Sequence, residues 1–391
     1  MITVEEALAQ VLALVTPLES EEIDLAQAAG RVLRAPVLAQ RDQPPFTASA
    51  MDGYAVAECA GQGARLQVIG QAAAGHAFAG VLAPGQAVRI FTGAPVPEGA
   101  TRVVMQEHVT AQGEEITLDL PPDDKARHIR AQGIDFAAGD QLSAPRRLRP
   151  VDLALIAAMN CAQLRVSKRP DVAIIATGDE LVMPGEEPRP DQIIASNAFA
   201  LKAMAEAEGA RARILPIARD TEANLRAVLE LAAGADMIVT IGGASVGEHD
   251  LVGPVAEAMG ASRAFYKVAL RPGKPLMAGH MGGAVLLGLP GNPVSSIVCA
   301  HLFMRPALRA LQGLGAYPLA TASARLMHDL PANGPRAHYM RATLGPDGTI
   351  STFVDQDSSL ISVLCAADAL LIRPVNDPER RAGEQMRYIA L

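Results

Sequence analysis

The sequence contains no tryptophan, and aromatic residues make up only 3% of its 391 positions. Aromatic side chains provide the stacking surfaces on which single-stranded nucleic acids bind. The formal net charge of −8 also opposes a general attraction to a phosphate backbone. We therefore expect no nucleic-acid partner, although local cations can still bind a small anion.

Cysteines are also few, and long apolar runs are missing. No two of the four cysteines stand in a CxxC pair, so the sequence predicts neither a zinc site nor a disulfide framework. No apolar run approaches the roughly 20 residues that span a bilayer. Glu5 and Glu6 occupy the place where a signal peptide carries basic residues. We expect a cytoplasmic protein with no membrane partner.

Two common nucleotide-binding motifs are absent as well. The sequence has no Walker A motif, and no GxGxxG follows a predicted strand. A Ser-His-Asp arrangement does not stand out either. Candidate chemistry therefore has to come from other loops.

The pattern of apolar residues changes along the chain, whose length suits several domains. A helix with a Thr3–Glu6 capping box comes first, and strand-rich segments separated by Gly and Pro follow from about 54 to 138. From Pro170, strands alternate with helices, including predicted helices over 192–209 and from Val294 to about Leu311. This alternation predicts a doubly wound, mostly parallel sheet. Short β-like runs form the tail.

The stretch ADMIVTIGGASVGEHD, residues 235–250, is central to this α/β region. A buried-strand pattern ends at Gly242 and Gly243, and Ser245 and Gly247 follow. Adjacent glycines let the backbone turn and expose N–H groups to an anion. In open α/β sheets, ligands bind beyond the carboxyl ends of the strands. The alternative is an ordinary turn between a strand and a helix.

Two further loops follow predicted strands in the same way. Thr177 and Gly178 lead into Asp179 and Glu180, a carboxylate pair that suits metal chelation or ribose binding. The alternative is a solvated turn in which Asp179 caps a helix.

The second of these loops is the sequence Pro290-Gly291-Asn292-Pro293, and a helix begins near Ser295. Backbone N–H groups at a helix start suit an anion, and a rigid capped turn is the alternative.

Cations cluster in the segment KVALRPGKP. Lys267, Arg271 and Lys274 flank a Pro-Gly turn and suit a clamp on phosphate or another oxyanion. A solvated charged surface is the alternative.

Carboxylates recur in the candidate loops, at Asp52, Asp135, Glu180, Asp220 and Asp250. They would repel an anionic substrate unless a divalent cation lay between them. Mg²⁺ binds through one or two carboxylates together with substrate phosphates. The residues therefore predict a Mg²⁺-dependent enzyme that acts on a phosphorylated, nucleotide-bearing ligand. His249 could serve as a base, or it could be structural.

Six motifs occur in a fixed order: SAMDGYA, RIFTGAPVP, ATGDEL, GGASVGEHD, RPGKP and GLPGNPVSS. As an ordered set they resemble the molybdopterin molybdenumtransferases of the bacterial MoeA type, which are similar to the gephyrin E domain. The resemblance implies the last step of molybdenum cofactor synthesis: adenylylated molybdopterin is hydrolysed with Mg²⁺, molybdate joins the dithiolene, and AMP leaves. It also implies a homodimer with its cleft between domains of opposite subunits. Other proteins of molybdenum cofactor synthesis are further candidate partners.

The same resemblance implies four domains. The expected divisions are an elongated N-terminal domain of residues 1–45 and 139–168, an inserted β domain of 46–138, an α/β molybdopterin-binding-like domain of 169–315, and a C-terminal β domain of 316–391.

Site residues carried over from the resemblance fall into two groups. The expected catalytic residues are Asp52, Thr92, Asp135, Glu180, Asp220, Asp250, Lys267 and Arg271, with Glu180, Asp220 and Asp250 as metal ligands. The expected binding residues are Thr177, Gly178, Gly242, Gly243, Ser245, Gly247, Lys274, Pro290, Gly291, Asn292, Ser295, Arg341 and Ser358.

Two other functions stay open on the same motifs. One is a non-catalytic molybdopterin-binding or scaffolding protein, and the presence of every acidic motif position favours an enzyme over it. The other is a nucleotide-pyrophosphate hydrolase that shares the central domain, against which the motifs SAMDGYA and TGAPVP speak. No sequence feature distinguishes molybdate from tungstate.

Overall fold

The computed structural model of this protein describes residues 1–57, 60–122, 126–243 and 251–391. Within these residues, no helix is both long and apolar enough to cross a membrane. Four sheets of four or more strands organise these residues, and the largest apolar core is shared between the central sheet and the C-terminal barrel.

The first sheet combines strands from two distant parts of the sequence. Its order is Ser20–Asp24, Gln163–Ser167, Val32–Leu33 and Arg146–Arg147, with antiparallel neighbours. Val37–Leu38 pairs with Gln141–Leu142 nearby, and the helix Pro150–Ala158 packs its Ile156 into the same core. A short 3₁₀ turn covers Leu25–Gln27.

The first helix, Val4–Ala13, belongs to a different core. The Thr3 side chain accepts from the Glu6 backbone N–H, and the Glu6 side chain accepts from the Thr3 N–H, as the capping box predicts. The buried face of the helix packs with the central sheet rather than with the first sheet, because Val4, Ala7 and Val11 join the large core of that sheet.

A curled six-stranded sheet occupies the inserted segment. Its order is Arg102–Met105, Gly53–Val56, Gln86–Ile90, Arg65–Ala72, Glu115–Leu118 and Val109–Gln112. Ala48–Ser49 pairs with Ile129–Arg130, where the chain enters and leaves, and a 3₁₀ turn covers Gln106–His108.

The central sheet has six strands, in the order Arg211–Ile214, Asp171–Ala176, Met237–Ile241, Ala284–Leu289, Met277–Met281 and Ser262–Tyr266. The first four strands pair with one another in parallel. The last two pairings, of the fifth strand with the fourth and of the sixth with the fifth, are antiparallel. Its helices are Asn197–Ala207, Glu222–Glu230, Val252–Ala258 and a long one from Pro293 to Leu311. The prediction of a doubly wound, mostly parallel sheet is confirmed.

Two predicted helices differ from the structure in detail. The helix predicted over 192–209 begins only at Asn197, because Ile193–Ile194 forms a short strand with Leu181–Val182. The long helix is α-helical over Pro293–Cys299 and Arg305–Leu311, with a π-helical turn over Ala300–Met304 between them.

The tail forms a small closed β-barrel. Its strands run in the order Ala337–Gly345, Thr349–Thr352, Ala322–Leu326, Gln385–Ala390 and Ala369–Arg373, and the last pairs with the first. The helix Ile361–Cys365 lies between two of these strands in the sequence. Leu270–Arg271 adds a parallel strand to the barrel from the central part of the chain.

Candidate functional site

A pocket of about 460 Å³ opens at the carboxyl ends of the parallel strands of the central sheet. Three of its walls are the loops that follow Asp171–Ala176, Met237–Ile241 and Ala284–Leu289. Nine residues expected from the sequence line it: Thr177, Gly178, Glu180, Asp220, Gly242, Gly243, Pro290, Gly291 and Asn292. The structure thus brings together residues that lie far apart in the sequence. Ser245, Gly247, His249 and Asp250 lie outside the described residues.

Glycine is required at the bottom of this pocket. Gly242 has φ +89°, and a Cβ there would lie 2.9 Å from the carbonyl oxygen of Thr177. Gly243 follows with φ +61°. Thr177 is itself buried, and its N–H donates to the Ile241 carbonyl at 2.9 Å. The backbones of neighbouring loops therefore approach each other more closely than side chains allow.

Two exposed carboxylates, Glu180 and Asp220, line the pocket. The alternative that Asp179 caps a helix is wrong. The N-cap of the next helix along the chain, Asn197–Ala207, is Ser196, and the helix after Asp220 is capped by Thr221, whereas Asp179 Oδ1 accepts from the Asp220 N–H at 3.2 Å. Asp179 therefore ties two loops together at the pocket edge.

The loop Pro290–Pro293 is held from two sides. The buried Asn197, at the start of a helix, donates from Nδ2 to the Gly291 carbonyl at 2.7 Å. Asn292 donates from Nδ2 to Ser358 Oγ at 3.1 Å, and the Val294 N–H donates to the Ser358 carbonyl. The C-terminal barrel thus contacts the pocket loop through Ser358, whereas Ser295 is buried in the helix.

Arg341 lies behind Ser358 and is only 1% exposed. Its guanidinium donates to the carbonyls of Asp357 (2.9 Å) and Leu360 (3.2 Å), and to Gln356 Oε1 (3.3 Å). Burial is the largest effect on this guanidinium and lowers its pKa. In this geometry Arg341 shapes the loop that carries Ser358, and direct contact with a ligand stays a prediction.

The cationic segment forms a tight loop beside the pocket. The Lys267 N–H donates to the Leu276 carbonyl, and Lys267 Nζ lies 5.1 Å from the centre of the Tyr266 ring. Arg271 and Lys274 are exposed, and Lys274 directly precedes Pro275, which lines the pocket. The pocket lining in the described residues includes none of the three cations themselves.

Asp52 and Thr92 form a pair in the curled sheet's domain. The Thr92 backbone N–H and Oγ1 both donate to Asp52 Oδ1 at 2.7 Å, and they hold the pKa of Asp52 below its usual range. The Arg89 guanidinium lies close by, between the rings of Tyr54 and Phe91. The carboxylate therefore stays ionised at neutral pH.

Asp135 is exposed where the chain returns from the curled sheet, and its N–H donates to the Gln43 carbonyl at 3.0 Å. In the part of the chain that the structure describes, the pocket wall includes no residue from the first 170 positions. Within one chain, therefore, the pocket is not lined by Asp52, Thr92 or Asp135.

Two of the three predicted metal ligands, Glu180 and Asp220, line the pocket, and the third, Asp250, is outside the described residues. In the described ranges, no group of three His, Cys, Asp or Glu side chains is arranged to hold a metal ion. Two carboxylates together with phosphate oxygens are a donor set that Mg²⁺ accepts.

Sequence reasoning missed two residues of this site. Asn197 fixes the Gly291 peptide, and Arg219 donates to carbonyls of the loop that carries Glu180. Asn197 resembles an ordinary residue of a helix start, and Arg219 an ordinary surface cation. The usable signal for Arg219 was its position directly before the predicted Asp220, whereas Asn197 lies inside the helix predicted over 192–209 and carried no such signal.

The fold and the site define a class: a multidomain α/β protein with a glycine-lined pocket at the edge of a mostly parallel sheet. Residues 173–310 match the family model described as "probable molybdopterin binding domain". Residues 2–160 match "MoeA N-terminal region (domain I and II)", and residues 323–391 match "MoeA C-terminal region (domain IV)".

Known proteins place the chain more narrowly. It is 35% identical to the molybdopterin molybdenumtransferase of a Nostoc species, over 95% of this chain and 89% of that protein. It is 36% identical to the molybdopterin molybdenumtransferase of Haemophilus influenzae, over 80% and 78% of the two chains. The crystal structure of the molybdopterin biosynthesis moeA protein from Pyrococcus horikoshii superimposes with a TM-score of 0.85 at 26% identity, covering all of both chains. This chain belongs to the molybdopterin molybdenumtransferase family, as the motifs predicted.

Proposed function

We propose that this protein is a transferase that inserts molybdate into adenylylated molybdopterin, with Mg²⁺-dependent release of AMP. The observation that carries the proposal is the pocket in which Glu180 and Asp220 face the glycine loops of the sheet edge. Its close relatives bear the name of that activity. Water cleaves the phosphoanhydride bond, which gives AMP and the phosphate of molybdopterin. Each of the two dithiolene sulfurs then displaces one oxygen of molybdate, and the displaced oxygens leave as two waters with protons from the thiols and the solvent. The overall change therefore releases one water.

The residues of the pocket suit an anionic, nucleotide-bearing substrate. Gly243 and Gly291 line the pocket, and backbone N–H groups in such glycine loops can donate to phosphate oxygens. Glu180 and Asp220 would hold Mg²⁺, which supplies charge neutralisation on the phosphates when it is bound. Cleavage of a phosphoanhydride depends more on such neutralisation than on a protein nucleophile.

The cations supply the remaining charge. Lys267, Arg271 and Lys274 lie on one tight loop next to the pocket wall at Pro275. Molybdate is an oxyanion, and guanidinium and ammonium groups bind oxyanions. We assign this loop to molybdate or to the substrate phosphate.

We further propose that the working form is a homodimer in the cytoplasm. Asp52, Thr92 and Asp135 do not line the pocket of their own chain. A second copy that presents its curled sheet to this pocket would add the paired Asp52 and Thr92. Light scattering of the purified protein tests the assembly, and a monomer at working concentration would contradict it.

The reaction is tested by incubating the purified protein with adenylylated molybdopterin, molybdate and Mg²⁺, and following AMP by chromatography. We expect AMP release that requires all three, and a large loss in Glu180→Gln. The matched control is Glu187→Gln, an exposed carboxylate on the following loop. Binding of molybdopterin without AMP release would instead support the non-catalytic alternative. Tungstate in place of molybdate measures the preference between the two oxyanions.

A further inference from the structure

Arg219 joins two loops at the mouth of the pocket. Its Nη1 group lies 3.3 Å from the Gly178 carbonyl oxygen, 3.1 Å from that of Asp179 and 3.0 Å from that of Leu181. These carbonyls lie on both sides of Glu180 in the chain. Because a guanidinium is planar and permanently charged, it fixes the orientation of the peptides it binds. The backbone that carries Glu180 is therefore held by a side chain from the neighbouring loop.

The backbone of Arg219 is anchored in turn. Its N–H donates to Asn224 Oδ1 at 2.7 Å, and its carbonyl accepts from the Thr221 N–H at 2.7 Å. Thr221 caps the helix Glu222–Glu230 through the Asn224 N–H. The guanidinium thus projects from a rigid helix start.

Two further hydrogen bonds join the same loops. Asp179 Oδ1 accepts from the Asp220 N–H at 3.2 Å, and the Gly178 N–H donates to the Ala218 carbonyl at 3.0 Å. Glu180 and Asp220 consequently lie on two loops that are joined by both side-chain and backbone hydrogen bonds.

Both carboxylates, Glu180 and Asp220, line the same pocket. A divalent cation is held well only when its ligands already stand at the right separation. Arg219 fixes the geometry of the loop that carries Glu180 through the carbonyls on either side of it.

We infer that Arg219 is a positioning residue that sets the separation of Glu180 and Asp220 and so prepares them for a divalent cation. The identity of the phosphorylated substrate in this inference rests on the function proposed above. Arg219 acts through the Gly178–Leu181 backbone.

The test compares Arg219→Gln and Arg219→Lys with wild type and with Arg213→Gln. Arg213 is the control because it also donates to two backbone carbonyls, of Leu231 and Ala233, and its ion pair is with Asp171, which does not line the pocket in the described residues. Binding of Mn²⁺ alone, and of Mn²⁺ with AMP, is measured by electron paramagnetic resonance. Steady-state AMP release at varied Mg²⁺ gives the kinetic counterpart, and thermal melting checks the fold.

We expect Arg219→Gln to weaken Mn²⁺ binding about tenfold and to raise the Mg²⁺ concentration for half-maximal rate by a similar factor. The Lys variant, which keeps the charge but loses the planar fork, should fall between Gln and wild type. Arg213→Gln should bind Mn²⁺ as wild type does. If Arg219→Gln and Arg213→Gln have similar melting temperatures, the weaker Mn²⁺ binding of Arg219→Gln comes from lost positioning and not from a general loss of the fold.

Three results would overturn the inference: wild-type Mn²⁺ affinity in Arg219→Gln, an equal loss in Arg213→Gln, or no Mn²⁺ binding by the wild type. Failure of the proposed function looks different. If Mn²⁺ binding depends on Arg219 while no AMP is released by the wild type, the positioning role stands and the proposed reaction fails.

Discussion

At the scale of single residues, the cost of replacing a glycine depends on the atoms that an added Cβ would meet. Gly242 and Gly260 have nearly the same backbone angle, φ +89° and +90°. A Cβ added at Gly260 would meet no atom of the described residues within 4 Å beyond its own chain neighbours, whereas at Gly242 the Thr177 oxygens would lie at 2.9 and 3.0 Å. A comparison of alanine substitutions at the two positions therefore separates the cost of backbone strain from the cost of steric contact.

We predict that Gly260→Ala costs about 1–2 kcal/mol of unfolding free energy, because an L-residue is strained at this angle. Gly242→Ala should cost about 2–4 kcal/mol, since overpacking against Thr177 adds to the strain. Urea unfolding of both variants measures the difference. Equal losses would mean that the Thr177 loop moves away without cost.

At the scale of elements, the central strands could be predicted because they are buried on both faces. Met237–Ile241 and Ala284–Leu289 are entirely buried, and such runs stand out as unbroken apolar segments. Ile193–Ile194 could not be predicted. These two residues are exposed, and their apolar character extended the helical pattern of the following segment.

The loops of the candidate site could be predicted from the sequence, but the residues that hold these loops in place by hydrogen bonds could not. Turns rich in Gly, Pro and Asp are easy to recognise at the ends of strands. The sequence therefore predicted Thr177, Gly242 and Asn292 as site residues, and all three line the pocket. Asn197 and Arg219 act by hydrogen bonds to the backbone of other loops. Which loop lies beside which depends on strand order, and a single sequence does not give that order.

The loop from Asp355 to Leu360 links the C-terminal barrel to the pocket, and Arg341 holds it in shape. We predict that Arg341→Lys lowers the unfolding free energy by about 2–3 kcal/mol, because carbonyls bound by a charged donor lose their partner. It should also lower AMP release, since Ser358 would no longer be held against Asn292.

Ser358→Ala separates the two effects of Arg341. It removes one hydroxyl contact, so its stability should stay within about 1 kcal/mol of wild type. Its rate of AMP release should fall, because Asn292 of the pocket loop loses its hydrogen bond to the Ser358 hydroxyl. Thr343→Val, on the same barrel strand as Arg341, serves as the control. Full activity in Ser358→Ala together with lost activity in Arg341→Lys would show that Arg341 acts by another route.

At the scale of the whole molecule, Glu208 connects two domains. Its side chain is 6% exposed and bonds to Arg147 of the first sheet (3.1 Å) and to Arg305 (2.8 Å) and Arg309 (3.4 Å) of the long helix. Burial lowers the pKa of Arg147, and the neighbouring arginines add to this effect. Without the carboxylate, three arginines would face one another across the domain junction.

We predict that Glu208→Gln destabilises the protein by about 2–3 kcal/mol, less than for a fully buried pair because its arginines are partly exposed. Calorimetry should also show the two domains unfolding in separate steps. The control is Glu19→Gln, whose partner Lys168 is largely exposed, and it should leave the melting curve unchanged. A single transition at the wild-type temperature in Glu208→Gln would show that apolar contacts alone hold the junction.

Two buried histidines make the stability of the molecule depend on pH. Burial, the largest cause, and the charges of nearby arginines, of which Arg271 contributes most, together lower the pKa of His338 from 6.5 to about 3. Burial, followed by the charge of Arg305, lowers the pKa of His301 to about 4. Both stay neutral in the folded protein at pH values where the unfolded chain binds a proton.

Because the unfolded state then binds more protons, stability should fall as the pH drops from about 6.5 to about 4, by up to about 1.4 kcal/mol per pH unit for each histidine. Below pH 4, His301 becomes protonated in the folded state too, and its share of the slope disappears. Urea unfolding at pH 4.5, 5.5, 6.5 and 7.5 measures the slope, and carboxylates contribute equally to wild type and variants. His338→Gln and His301→Gln should each reduce the slope, and the double variant should reduce it by the sum. An unchanged slope in the double variant would mean that neither ring stays neutral because of its surroundings.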